Sequence, residues 1–146
     1  MPVQKLPAII LFAATPQVNK YNLRKDHDTI RVKNLQTSAD FYGNILGLEE
    51  IPNGGLGDHI KWFQLNDRVQ LHLVESDEVI EKNKGVHMAM RTDLLDAFMD
   101  YLKSKNIPFE TWKGEPGTSN TRPDGIRQIY FQDPDGYWME VNDGRH

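Results

Sequence analysis

Three histidines and one glutamate fall at corresponding places in the two halves of this chain: His27, His72, His87 and Glu140. Imidazole and carboxylate groups together suit a divalent first-row metal ion. An ion held by such a set with a position left open can polarise a carbonyl group or lower the pKa of bound water. The four residues therefore predict a catalytic site for one divalent ion, with zinc, nickel, manganese and iron as the alternatives.

The elements that must position these residues form an internal repeat. Each half reads as a strand, a helix and three further strands. The first half is predicted over 27–33, 38–46, 48–51, 60–65 and 69–75, and the second over 86–92, 94–105, 109–112, 126–132 and 137–142. Gly47 is expected to end the first helix, because glycine tolerates left-handed dihedrals after a last turn. His27 and His87 each begin the first strand of a half, and His72 and Glu140 each lie in a last hairpin.

Alternation along the strands assigns side chains to two faces of the sheet, because successive residues point to opposite sides. The predicted ligands share their face with Thr29, Arg31, Gln70, Val74, Ala89, Arg91, Trp138 and Asn142. The opposite face is apolar: Ile30, Val32, Leu71, Leu73, Met88, Met90, Met139 and Val141. We expect the apolar face to lie under the helices and the other face to line a cup.

The composition limits the class of protein. With 146 residues that are 38% hydrophobic, the chain can form one well-packed domain. A net charge of −4 without a dense run of Lys and Arg argues against nucleic-acid binding. The absence of cysteine excludes disulfides and thiolate ligands. These properties favour a small-molecule partner, and no apolar run is long enough to cross a membrane.

Residues 1–26 precede the repeat and are interpreted as an N-terminal extension. The apolar run that ends at Ala14 is either a strand or arm, over 9–14, or part of a secretory signal over 1–14. The arm predicts a cytoplasmic protein, and the signal predicts an exported one. An arm would pack on the domain itself or on a partner subunit.

Two stretches carry a resemblance to a known family. His27-Asp28-Thr29-Ile30-Arg31-Val32-Lys33-Asn34-Leu35, continuing to Gly47-Leu48, is similar to the opening module of the vicinal oxygen chelate superfamily and especially to bacterial glyoxalase I, the lactoylglutathione lyase. The ending, residues 133–140, is similar to the closing hairpin of that family. The resemblance implies an α+β fold in which two βαβββ modules, 27–76 and 85–142 within a single domain over 27–146, form a cup-shaped sheet with helices on its outer face.

The resemblance also implies roles for individual residues. His27, His87 and Glu140 match metal ligands of the family, whereas His72 stands where glyoxalase I has a glutamate that is thought to transfer protons. His72 and Glu140 are therefore the candidate bases. Arg31 matches an arginine that holds a carboxylate of glutathione. Other residues expected to bind substrate or line the pocket are Arg91, Trp62, Gln64, Tyr130, Gln128 and Trp138.

Several functions remain open at this point. A glyoxalase-like lyase or isomerase is the leading prediction, for a small oxygenated and anionic substrate. The alternatives are a fosfomycin-type thiol transferase, an extradiol dioxygenase, and a protein that binds a drug or metabolite without chemistry. A homodimer is expected, with the metal site within one chain or shared across the dimer. The loop over 118–125, flanked by Arg122 and Arg127, is either a mobile lid or a solvated loop, and His59 and His146 are expected to be solvated.

Overall fold

The structure is a computed structural model that describes residues 19–145. The predicted strand or arm over 9–14 and the terminal His146 lie outside the described residues. In the first half, the strands are β1 (His27–Val32), β2 (Glu49–Ile51), β3 (Ile60–Gln64) and β4 (Gln70–Glu75), with helix α1 (Leu35–Asp40). In the second half, the strands are β5 (Met88–Arg91), β6 (Phe109–Glu110), β7 (Asn120–Thr121), β8 (Arg127–Gln132) and β9 (Trp138–Asn142), with helix α2 (Leu95–Ser104).

The strands form two sheets with the same connectivity. The first has the order β1-β4-β3-β2 and the second β5-β9-β8-β6, with β7 paired to β8. The first strand of each half lies parallel to its last strand, and the other pairings are antiparallel. This arrangement confirms the predicted α+β fold. Neither helix of the described residues is long and apolar enough to cross a membrane.

The hydrophobic core lies on the predicted apolar face of the sheets. Leu71, Leu73 and Met139 are fully buried, and Met88 and Met90 pack against the same cluster. Both helices contribute to it through residues such as Leu35, Leu95 and Leu102. Strand alternation therefore identified the buried face correctly, which leaves the ligand-bearing face available for chemistry.

The first helix begins three residues before the predicted start. The side chain of Asn34 accepts a hydrogen bond from the Thr37 backbone N–H at 2.8 Å and caps a helix that starts at Leu35. The helix continues into a π-helical turn, Phe41–Ile45. Gly47, with a φ of 74°, follows that turn, as predicted.

The second half departs from the prediction at three places. The first strand is shorter than expected, so that His87 precedes β5 instead of lying within it. The short strand β6 ends at Glu110, and Trp112 lies outside it. Part of the predicted loop over 118–125 forms β7, because its backbone pairs with the start of β8.

Two carboxylates in the β8–β9 turn join the two halves. Asp133 accepts a 2.7 Å hydrogen bond from the buried Tyr42 hydroxyl, and Asp135 accepts one from Lys33 N–H at 2.9 Å and one from the Ser38 hydroxyl at 3.1 Å. Burial raises the pKa of Asp133 above its ordinary value, although its hydrogen bonds oppose that shift. These hydrogen bonds join the β8–β9 turn of the second half to residues 33–42 of the first half.

Candidate functional site

The strand register places His72 and Glu140 at equivalent positions. His72 on β4 lies between Thr29 on β1 and Trp62 on β3. Glu140 on β9 lies between Ala89 on β5 and Tyr130 on β8. Residues opposite one another in adjacent strands point to the same face. Each sheet therefore presents one row of three side chains, with a predicted ligand at the centre.

The first row forms an aromatic stack with His27. The His72 ring lies between the Trp62 ring, at 4.1 Å between centroids and 5° between planes, and the His27 ring, at 4.0 Å and 16°. Gly54, in the loop before β3, lies against the edge of Trp62: an added Cβ there would be 3.3 Å from the indole Cη2. We call His27, His72 and Trp62 the first half-site.

Hydrogen bonds orient both imidazoles of this half-site. Nδ1 of His27 lies 2.6 Å from the Asp26 carboxylate, which accepts its hydrogen and leaves the lone pair on Nε2. Nε2 of His72 lies 2.9 Å from the amide oxygen of Gln70, so its lone pair is on Nδ1. Burial, followed by the neighbouring His27, lowers the pKa of His72. His72 is therefore a neutral imidazole near neutral pH, which is the form that binds metal or accepts a proton.

The second row holds Glu140 as a buried carboxylate. Glu140 is 6% exposed, and each of its oxygens accepts a hydrogen bond, one from the Tyr130 hydroxyl at 2.6 Å and one from the Asn142 amide at 2.8 Å. Burial, followed by the hydrogen bond to Glu140, raises the pKa of Tyr130. The phenol is thus a donor that fixes the direction of the carboxylate.

His87 packs beside this row. Its ring meets the Tyr130 ring edge to face at 5.3 Å between centroids. Its Nδ1 lies 2.8 Å from the backbone oxygen of Lys84, which can only accept, so the hydrogen is on Nδ1 and the lone pair on Nε2. His87, Tyr130 and Glu140 are called the second half-site.

The described residues of one chain do not bring all four predicted ligands together. Among residues 19–145, no three His, Cys, Asp or Glu side chains are arranged to hold a metal ion. The ligands instead occur as His27 with His72 in the first half-site and His87 with Glu140 in the second. The two half-sites of one chain thus do not fit a metal ion as a single set.

The residues predicted to bind substrate differ in their contacts and in their burial. The Arg31 guanidinium contacts the Glu78 carboxylate, and Arg91 is exposed on the ligand-bearing face. Gln64 donates its amide to the Asn66 carbonyl in the β3–β4 turn. Gln128 is buried opposite Asn142, and Trp138 is half-buried. Their roles in substrate binding stay predictions.

The two arginines that flank the loop over 118–125 pair with carboxylates, and Arg122 also lies within electrostatic range of Glu140 and Tyr130. Arg122 pairs with Asp124, and Arg127 pairs with Asp96 of α2 at 2.7 Å. His59 is exposed, as predicted. Both arginines thus have carboxylate partners at the edge of the second sheet.

Four residues beside the half-sites were not identified from the sequence as site residues. Asp26 bonds His27, and Lys84, Glu110 and Trp112 lie beside His87 and Tyr130. The only sequence signal for Asp26 was its position directly before a predicted ligand. Lys84 is separated from Glu110 by 26 residues, so no local pattern could have paired them.

Paired βαβββ halves with a polar inner face define this protein as a two-module α+β protein. The chain belongs to the Glyoxalase/Bleomycin resistance protein/Dioxygenase superfamily, whose model matches residues 24–141.

Three individual proteins are similar to this chain. A protein of Bacillus subtilis (strain 168) described as uncharacterized protein YwbC is 28% identical over 124 residues, which are 80% of this chain and 94% of that protein. The fosfomycin resistance protein FosX from Listeria monocytogenes is 25% identical, with a TM-score of 0.66 over 84% of this chain and 94% of FosX. Lactoylglutathione lyase from Agrobacterium tumefaciens is 20% identical, with a TM-score of 0.66 over 83% of this chain and 93% of that one. The last likeness is one of fold alone.

Proposed function

We propose that this protein is a divalent-metal-dependent enzyme that acts on a small oxygenated, anionic substrate, with glyoxalase I-like isomerisation as its leading reaction. The observation that carries the proposal is the equivalence of His72 and Glu140 in the two rows, each with a histidine beside it. Members of the superfamily commonly use a divalent metal and bind small molecules.

The metal would be held by two chains. His27 and His72 of one chain and His87 and Glu140 of a second chain would supply three imidazoles and one carboxylate. The His27 ring would have to turn out of its stack on His72 for both lone pairs to reach one ion. A two-fold axis would create two equivalent sites in a homodimer. A bound ion would polarise the oxygens of a substrate that it coordinates.

The residues of the chain would then bind and move protons. Both oxygens of Glu140 already accept hydrogen bonds, so His72 is the better candidate base. Its only lone pair is on Nδ1, so His72 would accept a proton only after that nitrogen had left the metal. Trp62 shields one face of His72 from water. Arg31 would hold the anionic group of the substrate by exchanging its contact with Glu78 for a contact with the ligand.

Metal analysis tests this function. Purified, untagged protein should contain a divalent metal, or should melt at a higher temperature when nickel, manganese, zinc or iron is added. At about one hundred times the dissociation constant, binding stabilises a protein by ~2.7 kcal/mol. For a chain of this length that corresponds to a rise in Tm of about 5–11 °C.

A matched pair of variants makes the test specific. His87→Ala should abolish the metal and the rise in Tm while the circular dichroism spectrum stays unchanged. His59→Ala removes an exposed histidine outside both half-sites and should leave both unchanged. Stoichiometric metal in His87→Ala would show that the proposed ligand set is wrong.

Substrate assays separate the reactions. A hemithioacetal should be isomerised by the metal-loaded protein, and loss of this activity in a His72→Ala variant that still binds metal would support His72 as the base. The second candidate is addition of a thiol to fosfomycin; the likeness to a fosfomycin resistance protein favours fosfomycin as a substrate and does not favour the thiol. Turnover of fosfomycin without turnover of the hemithioacetal would select that candidate.

A further inference from the structure

The ammonium group of Lys84 is enclosed on the ligand-bearing face of the second sheet. It donates to Oε1 of Glu110 at 2.7 Å and to the backbone oxygen of Thr111 at 2.8 Å. Three aromatic rings surround it, with centroids at 4.8 Å (Trp138), 5.2 Å (Tyr130) and 5.8 Å (Trp112). The side chain is only 19% exposed. A cation this close to three ring faces and a carboxylate is held in one position.

The backbone of the same residue holds His87. Lys84 lies in a turn that is closed by a hydrogen bond from Val86 N–H to Asn83 O at 2.9 Å, and its carbonyl accepts from His87 Nδ1 at 2.8 Å. Three residues of chain therefore connect an anchored ammonium group to the imidazole of a proposed ligand.

We propose that Lys84 is a positioning residue that fixes the tautomer and the direction of the His87 ring. Its ammonium group anchors the turn to the second sheet, and its carbonyl then keeps the hydrogen of the imidazole on Nδ1. The Nε2 lone pair of His87 is thereby presented to the metal-binding side. The consequence for metal binding rests on the proposed function, but the effect on the tautomer does not.

Lys84 also links the two members of the second half-site. Its ammonium group lies over the ring of Tyr130, whose hydroxyl donates to Glu140. One side chain thus touches the residue that orients the carboxylate while its backbone orients the imidazole. Lys82 differs from Lys84 in this respect. Its ammonium group lies 4.7 Å from the centroid of the Tyr137 ring, which is not part of either half-site.

Substitution of Lys84 by methionine tests the proposal. Lys84→Met keeps most of the apolar stem and removes the charge and both hydrogen bonds. The matched control is Lys82→Met, which makes the same change in the same segment and leaves the anchor intact. The tautomer of His87 is read from ring-nitrogen NMR shifts of metal-free protein at about pH 8, where imidazole is neutral.

We expect His87 to carry its hydrogen on Nδ1 in the wild type and in Lys82→Met. In Lys84→Met it should shift toward Nε2–H, the tautomer that free histidine favours in water. Affinity for zinc or nickel, measured by competition with a chromophoric chelator, should fall about 10–100-fold in Lys84→Met, as for other residues that orient a ligand. A loss of thermal stability alone would not change the tautomer.

An unchanged Nδ1–H tautomer in Lys84→Met would overturn the proposal, whatever happens to Tm. If that variant does not fold, Lys84→Ala decides, because it removes the same charge and the same hydrogen bonds; an unchanged tautomer there would overturn the proposal as well. Wild-type protein that binds no metal would contradict the proposed function, and the tautomer measurement would still decide the role of Lys84.

Discussion

Mixing a chain that lacks His27 with a chain that lacks His87 should restore metal binding that neither variant has alone. In a homodimer whose sites combine the first half-site of one chain with the second of the other, every site of either variant lacks one ligand. In the mixed dimer, both losses fall in the same site. The other site is then intact.

The expected recovery follows from counting. Random pairing of equal amounts gives about half mixed dimers, each with one intact site out of two, so about one quarter of all sites should bind metal. Mixed dimers isolated with two different affinity tags should reach about half of the wild-type content. Both histidines are partly exposed, so alanine at either position should not disturb the core.

The assay is metal content per chain after the two variants are unfolded together and refolded. The control pair is His27→Ala with His72→Ala, two losses in the same half-site. In its mixed dimers each site lacks one ligand, so no recovery is expected. If the first pair recovers no more metal than the control, or if monomeric wild type binds metal fully, the shared site is refuted.

Three further predictions concern single residues. Tyr130→Phe should lower metal affinity about 10–100-fold without a change in fold, because Glu140 loses its 2.6 Å donor while the ring remains; equal affinities in equilibrium titrations would contradict this. Burial raises the pKa of Asp133, so its contribution to stability is fully present below the unfolded value of 3.8 and is lost as pH rises through the raised value. The unfolding free energy of wild type relative to Asp133→Asn, from urea titrations, should therefore fall as pH increases above about 4, and a constant difference would remove the basis for this pKa shift. Arg31→Ala should raise the KM of anionic substrates more than that of neutral ones, and an equal rise for both would exclude Arg31 from the substrate site.

The sequence predicted the fold because the alternation of apolar and polar residues along a strand is a local signal. Alternation with a period of two placed Leu71 and Leu73 in the core and His72 on the opposite face, and this depends only on strand geometry. The start of α1 was misplaced because Asn34, Thr37 and Ser38 can each cap a helix, and Asn34 is the one whose side chain accepts from the N–H of Thr37. Strand β7 was missed because a two-residue strand exists only through its pairing with β8.

The candidate site was predicted in part. Its four proposed ligands could be named, since their types and their places in the repeat are written in the sequence. Their division into two half-sites depends on how the sheets pack, which no local pattern reports. The contact of Lys84 with Glu110 and the ring of Tyr130 likewise joins distant parts of the chain, and a lone lysine in a turn gives no signal of it.

The equivalence of the two rows has a consequence for how such a chain can arise. A half-length ancestor with one βαβββ unit would carry one ligand pair and could close a complete metal site simply by associating with a copy of itself. After duplication and fusion, the two rows are free to diverge. At equivalent positions the two rows differ in type: Thr29 corresponds to Ala89, Trp62 to Tyr130 and His72 to Glu140. A fused chain can thus keep the residues of one half-site unchanged while those of the other half-site are replaced.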